Sequence, residues 1–423
     1  MESPVAASYD DLQSLPTLFK AATSDPAPAR GSVWQAQRAL FQAMEIGLVN
    51  LEELADEATA RLRDGRPRAA ERSIGWMVGF GQLWAELAWL VREVAPLDDT
   101  PGGHALAVAD SPSWRRLAHA ERELARELKP LADGPGDFAW KRDVLRYAML
   151  QRVALEHACV GGAPYGYREF VRPDAVAAAV HEKRLPGETV FLQFRAAHQM
   201  PELLVRVVND HLERAVDEIK RGHSDVAADL LARAEPLLEV TARMTDLLVD
   251  RMNTAEYHEI REALGLTSGS HSVGLHFDLM RDLYPALAHA SAGQPDAVRR
   301  AARSIGLHID RWRLGHVNLP RTNLGGAGAG TRSLTGSPDA LRTVAKMREA
   351  GRARDPYAND GRPFRATEWE SDVPPLAEVE RRLLGEIAQQ TQERFQDVQA
   401  RTGRYADPSE FTPPPKRCPA RPS

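Results

Sequence analysis

Cysteine and one-sided charge are both scarce in this chain, and each scarcity excludes a class of protein. Two cysteines, Cys159 and Cys418, among 423 residues allow neither a disulfide framework nor a thiolate metal cluster. A formal net charge of -5 with a pI near 6.3 gives no electrostatic case for a nucleic-acid or anionic-membrane partner. The opening MESPVAASYDDL is acidic and has no basic stretch followed by an apolar core, so it does not read as a secretory leader. The most apolar window, 75–91, carries Gln82 and Glu86 and stops short of a membrane span. Alternating β-branched runs are almost missing, which predicts hardly any sheet. The expectation is a cytoplasmic, all-α protein.

What is present fits that class. Hydrophobic residues make up 43% and charged residues 27%, ordinary for a packed globular chain, and the length leans towards two domains. Leu203, Val207, His211 and Ala215 recur at every fourth position with acidic residues between, and Gly222 stands where the helix should end. Similar periodicity predicts helices over 33–64, 67–95, 113–129, 137–158, 175–183, 189–221, 224–251, 255–264, 275–292, 296–318, 339–350 and 375–401. The Pro-rich segment after Asp407 reads as disordered.

The chain also repeats itself. An offset of 157 lays Arg38, Ala39, Phe41, Gln42 and Glu45 on Arg195, Ala196, His198, Gln199 and Glu202, and Gly65 on Gly222. At an offset of 159, Arg152, Leu155 and His157 match Arg311, Leu314 and His316, and at 158 Tyr9 matches Tyr167. Two copies of one helical unit are expected, 1–160 and 161–340, followed by a C-terminal helix and Pro-rich tail over 341–423. Chance alignment of amphipathic helices is the competing explanation.

The second copy gathers chemistry-bearing residues. His198 follows Phe194 by four positions and His316 follows Trp312 by four, so each imidazole shares a helix face with an aromatic ring. Histidine is a natural haem ligand, although a single histidine on an apolar face is more often a satisfied core or surface residue. Tyr257, Arg261 and Leu264 share one face, and an inward Arg261 needs a carboxylate from the protein or from a ligand. A surface pair with Glu256 or Glu262 is the plainer alternative. The Gly-rich loop after His316 ends at Thr331 and lacks the Lys and preceding strand of a phosphate cradle.

In order, these fragments resemble the tryptophan 2,3-dioxygenase family over about 165–335. Tyr167, Phe170, Arg172 and Asp174 resemble its YxxYLRLD segment. Phe194, His198, Gln199, Glu202 and Leu203 give its FxxxHQxxEL pattern. Tyr257, Arg261, Leu264, Ser268, Gly269 and Ser272 give YxxxRxxLxxxSGxxS, and Trp312, Arg313, His316, Val317, Leu324, Gly325, Gly330 and Thr331 give WRxxHV…LG…GT. The resemblance implies two tandem helical bundles forming a pseudo-dimer, the first degenerate and the second binding haem b, with O2 as co-substrate. It implies His316 as the iron ligand and His198 as the distal catalytic residue accepting the indole N–H. Phe194, Tyr257 and Leu264 would line the pocket, Arg261 would clamp the substrate carboxylate and Thr331 would hold the ammonium. The implied reaction cleaves the indole C2–C3 bond of L-tryptophan or a derivative to an N-formylkynurenine-type product.

Departures from the family pattern leave the substrate open. Ser270 and His271 replace the family's Phe and Gln, Pro201 removes a helical N–H and predicts a kink in the distal helix, and Phe170 lacks a hydroxyl. Hydroxylation of another aromatic amino acid, or haem binding without catalysis, are the alternatives. In the first copy Phe41 replaces the distal histidine while His157 keeps a proximal-like position. In the family, one subunit's N-terminal segment reaches over its neighbour's pocket. In a fused pair, Tyr9 and Leu12, not Tyr167, would then cap the functional site, and the chain could dimerise again.

Overall fold

The computed structural model describes residues 32–94, 104–132, 147, 154–155, 158–163, 165–181, 189–264, 279–323, 348 and 357, with only the backbone given at 32–33, 92, 105, 131–132, 162–163, 181, 189–190, 261–264, 317 and 321. Ten α-helices are described. They are α1 (Ser32–Arg63), α2 (Pro67–Val94), α3 (Pro112–Ala132), α4 (Tyr167–Val171), α5 (Pro173–His181), α6 (Thr189–Lys220), α7 (Ser224–Arg251), α8 (Thr254–Leu264), α9 (Tyr284–Ser291) and α10 (Asp296–Asn323). The all-α expectation holds. The described sheet is one antiparallel pair, β1 (His104–Ala107) with β2 (Cys159–Ala163), irregular between His104 and Leu106.

Helix ends follow local chemistry. After α1, Arg66 N donates to Arg61 O (2.8 Å) and Gly65 N to Leu62 O (3.0 Å), with Gly65 at φ +69°. After α6 the same two bonds recur, His223 N to Glu218 O (2.9 Å) and Gly222 N to Ile219 O (3.0 Å), with Gly222 at φ +81°. Only glycine adopts that left-handed cap without strain, so each glycine closes its helix and turns the chain into the next. Ser111 Oγ accepts from the N–H groups of Ser113 and Trp114 and starts α3. Asn253 and Glu256 exchange side-chain and backbone bonds, a reciprocal box that starts α8.

The repeat seen in the sequence has a counterpart in the helices. α1 and α6 both have 32 residues, α2 and α7 both have 28, and the bounds of each pair are 157 positions apart. α1 packs on α2 as α6 packs on α7, and the two hairpins meet through α1–α6 and α2–α7. Both cross-contacts run antiparallel. Arg206 meets Gln35, Met200 nears Gly47 and Gln193 meets Asn50, while Arg251 meets Gly75, Leu247 meets Gly79 and Arg243 meets Glu86. Asn50 and Gln193 exchange two amide bonds of 3.1 Å.

One hydrophobic core runs through both halves. It includes Leu40, Phe41, Met44 and Trp84 from the first and Met200, Leu204, Leu238 and Ile305 from the second. The expected boundary at 160/161 falls inside β2, and α4 and α5, beyond it in sequence, pack against α1. Among the described residues one helical stretch, Pro67–Val91, is long and apolar enough to cross a membrane, with a mean hydropathy of 1.2. It is a core helix, carrying Trp76, Phe80 and Trp84 into the interior.

α6 runs through Pro201 as the periodicity over 189–221 predicts, because burial along the helix outweighs the one lost backbone bond. One expectation shifts. The helix expected over 275–292 is described as a π-turn, Leu279–Leu283, followed by α9. The helices expected over 339–350 and 375–401 and the tail after Asp407 lie outside the described residues, apart from the single position Arg348.

Candidate functional site

The second half presents its two histidines in the same way. Phe194 is 6% exposed and its ring centroid lies 4.2 Å from that of His198. His198 Nδ1 lies 2.6 Å from Phe194 O, and a carbonyl only accepts, so the proton sits on Nδ1 and the lone pair on Nε2. On α10, Trp312 and His316 have centroids 5.8 Å apart, and His316 Nδ1 donates to Trp312 O at 3.0 Å. In both cases a bond to the carbonyl one turn back fixes the tautomer. Each ring then directs an acceptor nitrogen away from its own backbone.

The two imidazoles stand on helices that are not close partners. α6 and α10 each pack against α7 and α9, and neither packs extensively on the other. α8 touches α10 and carries Tyr257, which is half-buried with its ring edge-on to His258. Glu256 bonds Arg72 and the start of α8, while the surface pair of Arg261 with Glu256 or Glu262, the plainer alternative, lies outside the described residues. The side chains of Arg261 and Leu264, and all of Thr331, His157, Tyr9 and Leu12, lie outside the described residues.

Tyr167 sits elsewhere. Its hydroxyl donates to Glu45 at 2.6 Å, and its ring meets Phe41 edge-on at 5.8 Å. Around it, Arg38 lies over the Phe170 ring at 5.1 Å and Gln42 Nε2 donates to Val171 O at 3.2 Å. Arg38, Phe41, Gln42 and Glu45 are the first-half equivalents of Arg195, His198, Gln199 and Glu202. The segment opening the second half therefore covers the first half's version of the histidine face. Phe41 fills that position at 0% exposure. Burial raises the Glu45 carboxyl above its ordinary range, against bonds from Ser111, Tyr167 and Ser113 that hold it down.

A haem site asks for an axial imidazole with an outward lone pair and a hydrogen-bonded second nitrogen. His316 has the hydrogen-bonded nitrogen, Nδ1 on Trp312 O, which leaves Nε2 as the ring's acceptor. Among the described residues no three His, Cys, Asp or Glu side chains converge to cage a bare metal ion, and an iron already held by a macrocycle does not need them.

One polar cluster was not anticipated from the sequence. Between α7 and α10, Ser304 Oγ donates to Glu235 (2.5 Å), His308 stands 3.0 Å from Glu239, and Arg311 bonds Glu239 (2.7 Å) and Asp246 (3.1 Å). Its signal was a polar stripe, Ser304, His308 and Arg311, facing an i, i+4 pair of glutamates, which reads equally well as a solvated face.

No protein-family model and no solved structure matches the chain. A stretch of 106 residues, 25% of the chain, is 28% identical to tryptophan 2,3-dioxygenases of Bacillus thuringiensis (strain Al Hakam), Bacillus anthracis and Bacillus cereus, covering 37% of each of those proteins. The chain thus carries a distant, partial similarity to tryptophan 2,3-dioxygenases.

Proposed function

We propose that the chain is a haem-dependent oxygenase that acts on the indole ring of L-tryptophan or a close derivative. The observation that carries this reading is the matched pair of Nδ1-bonded imidazoles, His198 beside Phe194 and His316 beside Trp312. The distant similarity to tryptophan 2,3-dioxygenases points the same way.

On this reading His316 Nε2 holds the iron of haem b, while its Nδ1–H bond to Trp312 O keeps the ring oriented. Ferrous haem, when bound, supplies O2 activation. His198 Nε2 accepts the indole N–H, which orients the ring and leaves it electron-rich. Phe194 and Tyr257 hold the ring's faces and edge, with Leu264 alongside. Arg261 pairs with the substrate carboxylate and Thr331 with its ammonium group. Both oxygen atoms enter the product as the C2–C3 bond breaks, giving an N-formylkynurenine-type compound.

The two halves act as a pseudo-dimer within one chain, the first structural and the second catalytic. The equal helices and repeated caps support duplication. Tyr167 over the first half's Phe41 face supports the converse arrangement, in which Tyr9 and Leu12 cover His198. A soluble, cytoplasmic setting goes with this reading.

Mass spectrometry of products from a panel of aromatic amino acids, with ferrous protein and O2, tests the function. A gain of two oxygen atoms on tryptophan supports cleavage. A gain of one, favoured by the Ser270–His271 departure, supports hydroxylation. No turnover by haem-loaded protein removes the catalytic proposal.

A further inference from the structure

The polar cluster between α7 and α10 lies on the helix that carries His316, and its geometry describes a clamp. Reading along α10, Ser304 reaches Glu235, His308 lies between Glu235 (3.4 Å) and Glu239 (3.0 Å), and Arg311 reaches Glu239 and Asp246. One turn on, a Cβ at Gly315 would stand 2.8 Å from the Thr245 methyl, so α10 packs tightly on α7 just before His316. His308 is 3% exposed and Glu239 6%. Each rung ties a position on α10 to one further along α7, and no rung can be kept if the helices slide.

We infer that His308, held between Glu235 and Glu239, is a positioning residue that fixes the register of α10 on α7 and thereby the height of the His316 imidazole. This rests on the proposed role of His316. The register matters because a slip of one residue moves a side chain by about 1.5 Å along the axis. An axial ligand displaced that far no longer meets its iron at bonding distance. An apolar interface would supply the packing without the register, since aliphatic side chains tolerate sliding that ion pairs do not. Among the described residues the charged groups facing His308 are Glu235 and Glu239 from α7 and Arg311 from its own helix. Against burial, the two carboxylates favour the protonated imidazole and raise its pKa above the ordinary value.

The test compares the full-length wild type with His308→Leu, His308→Gln and Glu239→Gln, reading two quantities besides activity. In haem-loaded ferrous protein, resonance Raman reports the iron–histidine stretch and titration reports haem affinity. In haem-free protein, hydrogen exchange reports protection of the α10 amides over 309–316. We expect both His308 variants to shift the stretch and weaken haem binding about ten-fold or more, and to speed exchange over 309–316 with α7 unchanged. Should His308→Leu fail to fold, Glu239→Gln gives the same readings. An unaltered stretch and affinity in folded variants overturns the clamp. If the wild type takes up no haem, the functional proposal fails while exchange still decides the register: unchanged protection over 309–316 overturns it.

Discussion

Glu86 and Arg243 occupy equivalent positions in the two halves, 157 residues apart, and are bonded to one another. Under the proposed duplication, two identical halves would set like charges together there. Here the two positions carry opposite charges. The pair is partly buried, at 19% and 28% exposure, so its geometry matters more than that of a surface pair. Glu86→Arg or Arg243→Glu alone should lower stability by about 1–3 kcal/mol. The double exchange should recover most of it. Urea unfolding of the four proteins as a double-mutant cycle gives the coupling, and additive losses would mean the pair contributes nothing.

Tyr167 gives a second expectation. Removing its hydroxyl leaves the buried Glu45 without its 2.6 Å donor, which should cost about 1–3 kcal/mol. Because the described partners of Tyr167 are Phe41 and Glu45 and not His198, Tyr167→Phe should leave haem binding and the Michaelis constant unchanged. A raised Michaelis constant in a stably folded variant would place Tyr167 at the substrate.

The α7–α10 clamp predicts a two-sided pH dependence. Burial pushes the Glu239 carboxyl up, but His308 and Arg311 outweigh it and hold the group at about 2, against 4.5 ordinarily. A lowered carboxylate stabilises the fold above its unfolded value, so this contribution is lost as pH falls from about 4.5 towards 2. It amounts to about 3 kcal/mol for the cluster taken together. For His308, burial disfavours the charge, yet bonds and charges from Glu235 and Glu239 raise its pKa above 6.5. Its contribution is complete below pH 6.5 and is lost as pH rises through the raised value. Stability measured against pH should fall on both sides, and His308→Gln should flatten the alkaline arm.

The carboxylate clamp is tested by Arg261→Ala. An unpaired carboxylate in an apolar pocket costs several kcal/mol, on the order of 2–5, so the Michaelis constant should rise by about 30-fold or more with the spectrum of bound haem intact. An unaffected constant would assign Arg261 to the surface.

Long helices were legible because their apolar period and their glycine stops are local signals. Gly65 and Gly222 mark the ends of α1 and α6, and bounds such as 224–251 agree with the periodicity. The strand pair was not legible, since HALA and CVGGA show no alternation and gain their pairing only from contact across more than fifty residues. The histidine faces could be seen as Phe194/His198 and Trp312/His316, because a spacing of four defines a face. The destination of Tyr167 could not be read from its own segment, whose motif matches the family while its ring packs on the opposite half. The clamp was hidden for a similar reason: charges on an amphipathic helix look solvated until a partner helix is placed over them.

Joining both halves in a single chain has an evolutionary consequence. When two identical subunits assemble, every substitution appears on both sides of the assembly and must be tolerated in both roles. In this chain Phe41 seals one face while its counterpart His198 keeps an imidazole on the other. Under the proposed duplication, a linked pair assigns scaffolding to one copy and chemistry to its sibling, each free to drift without dragging the other along.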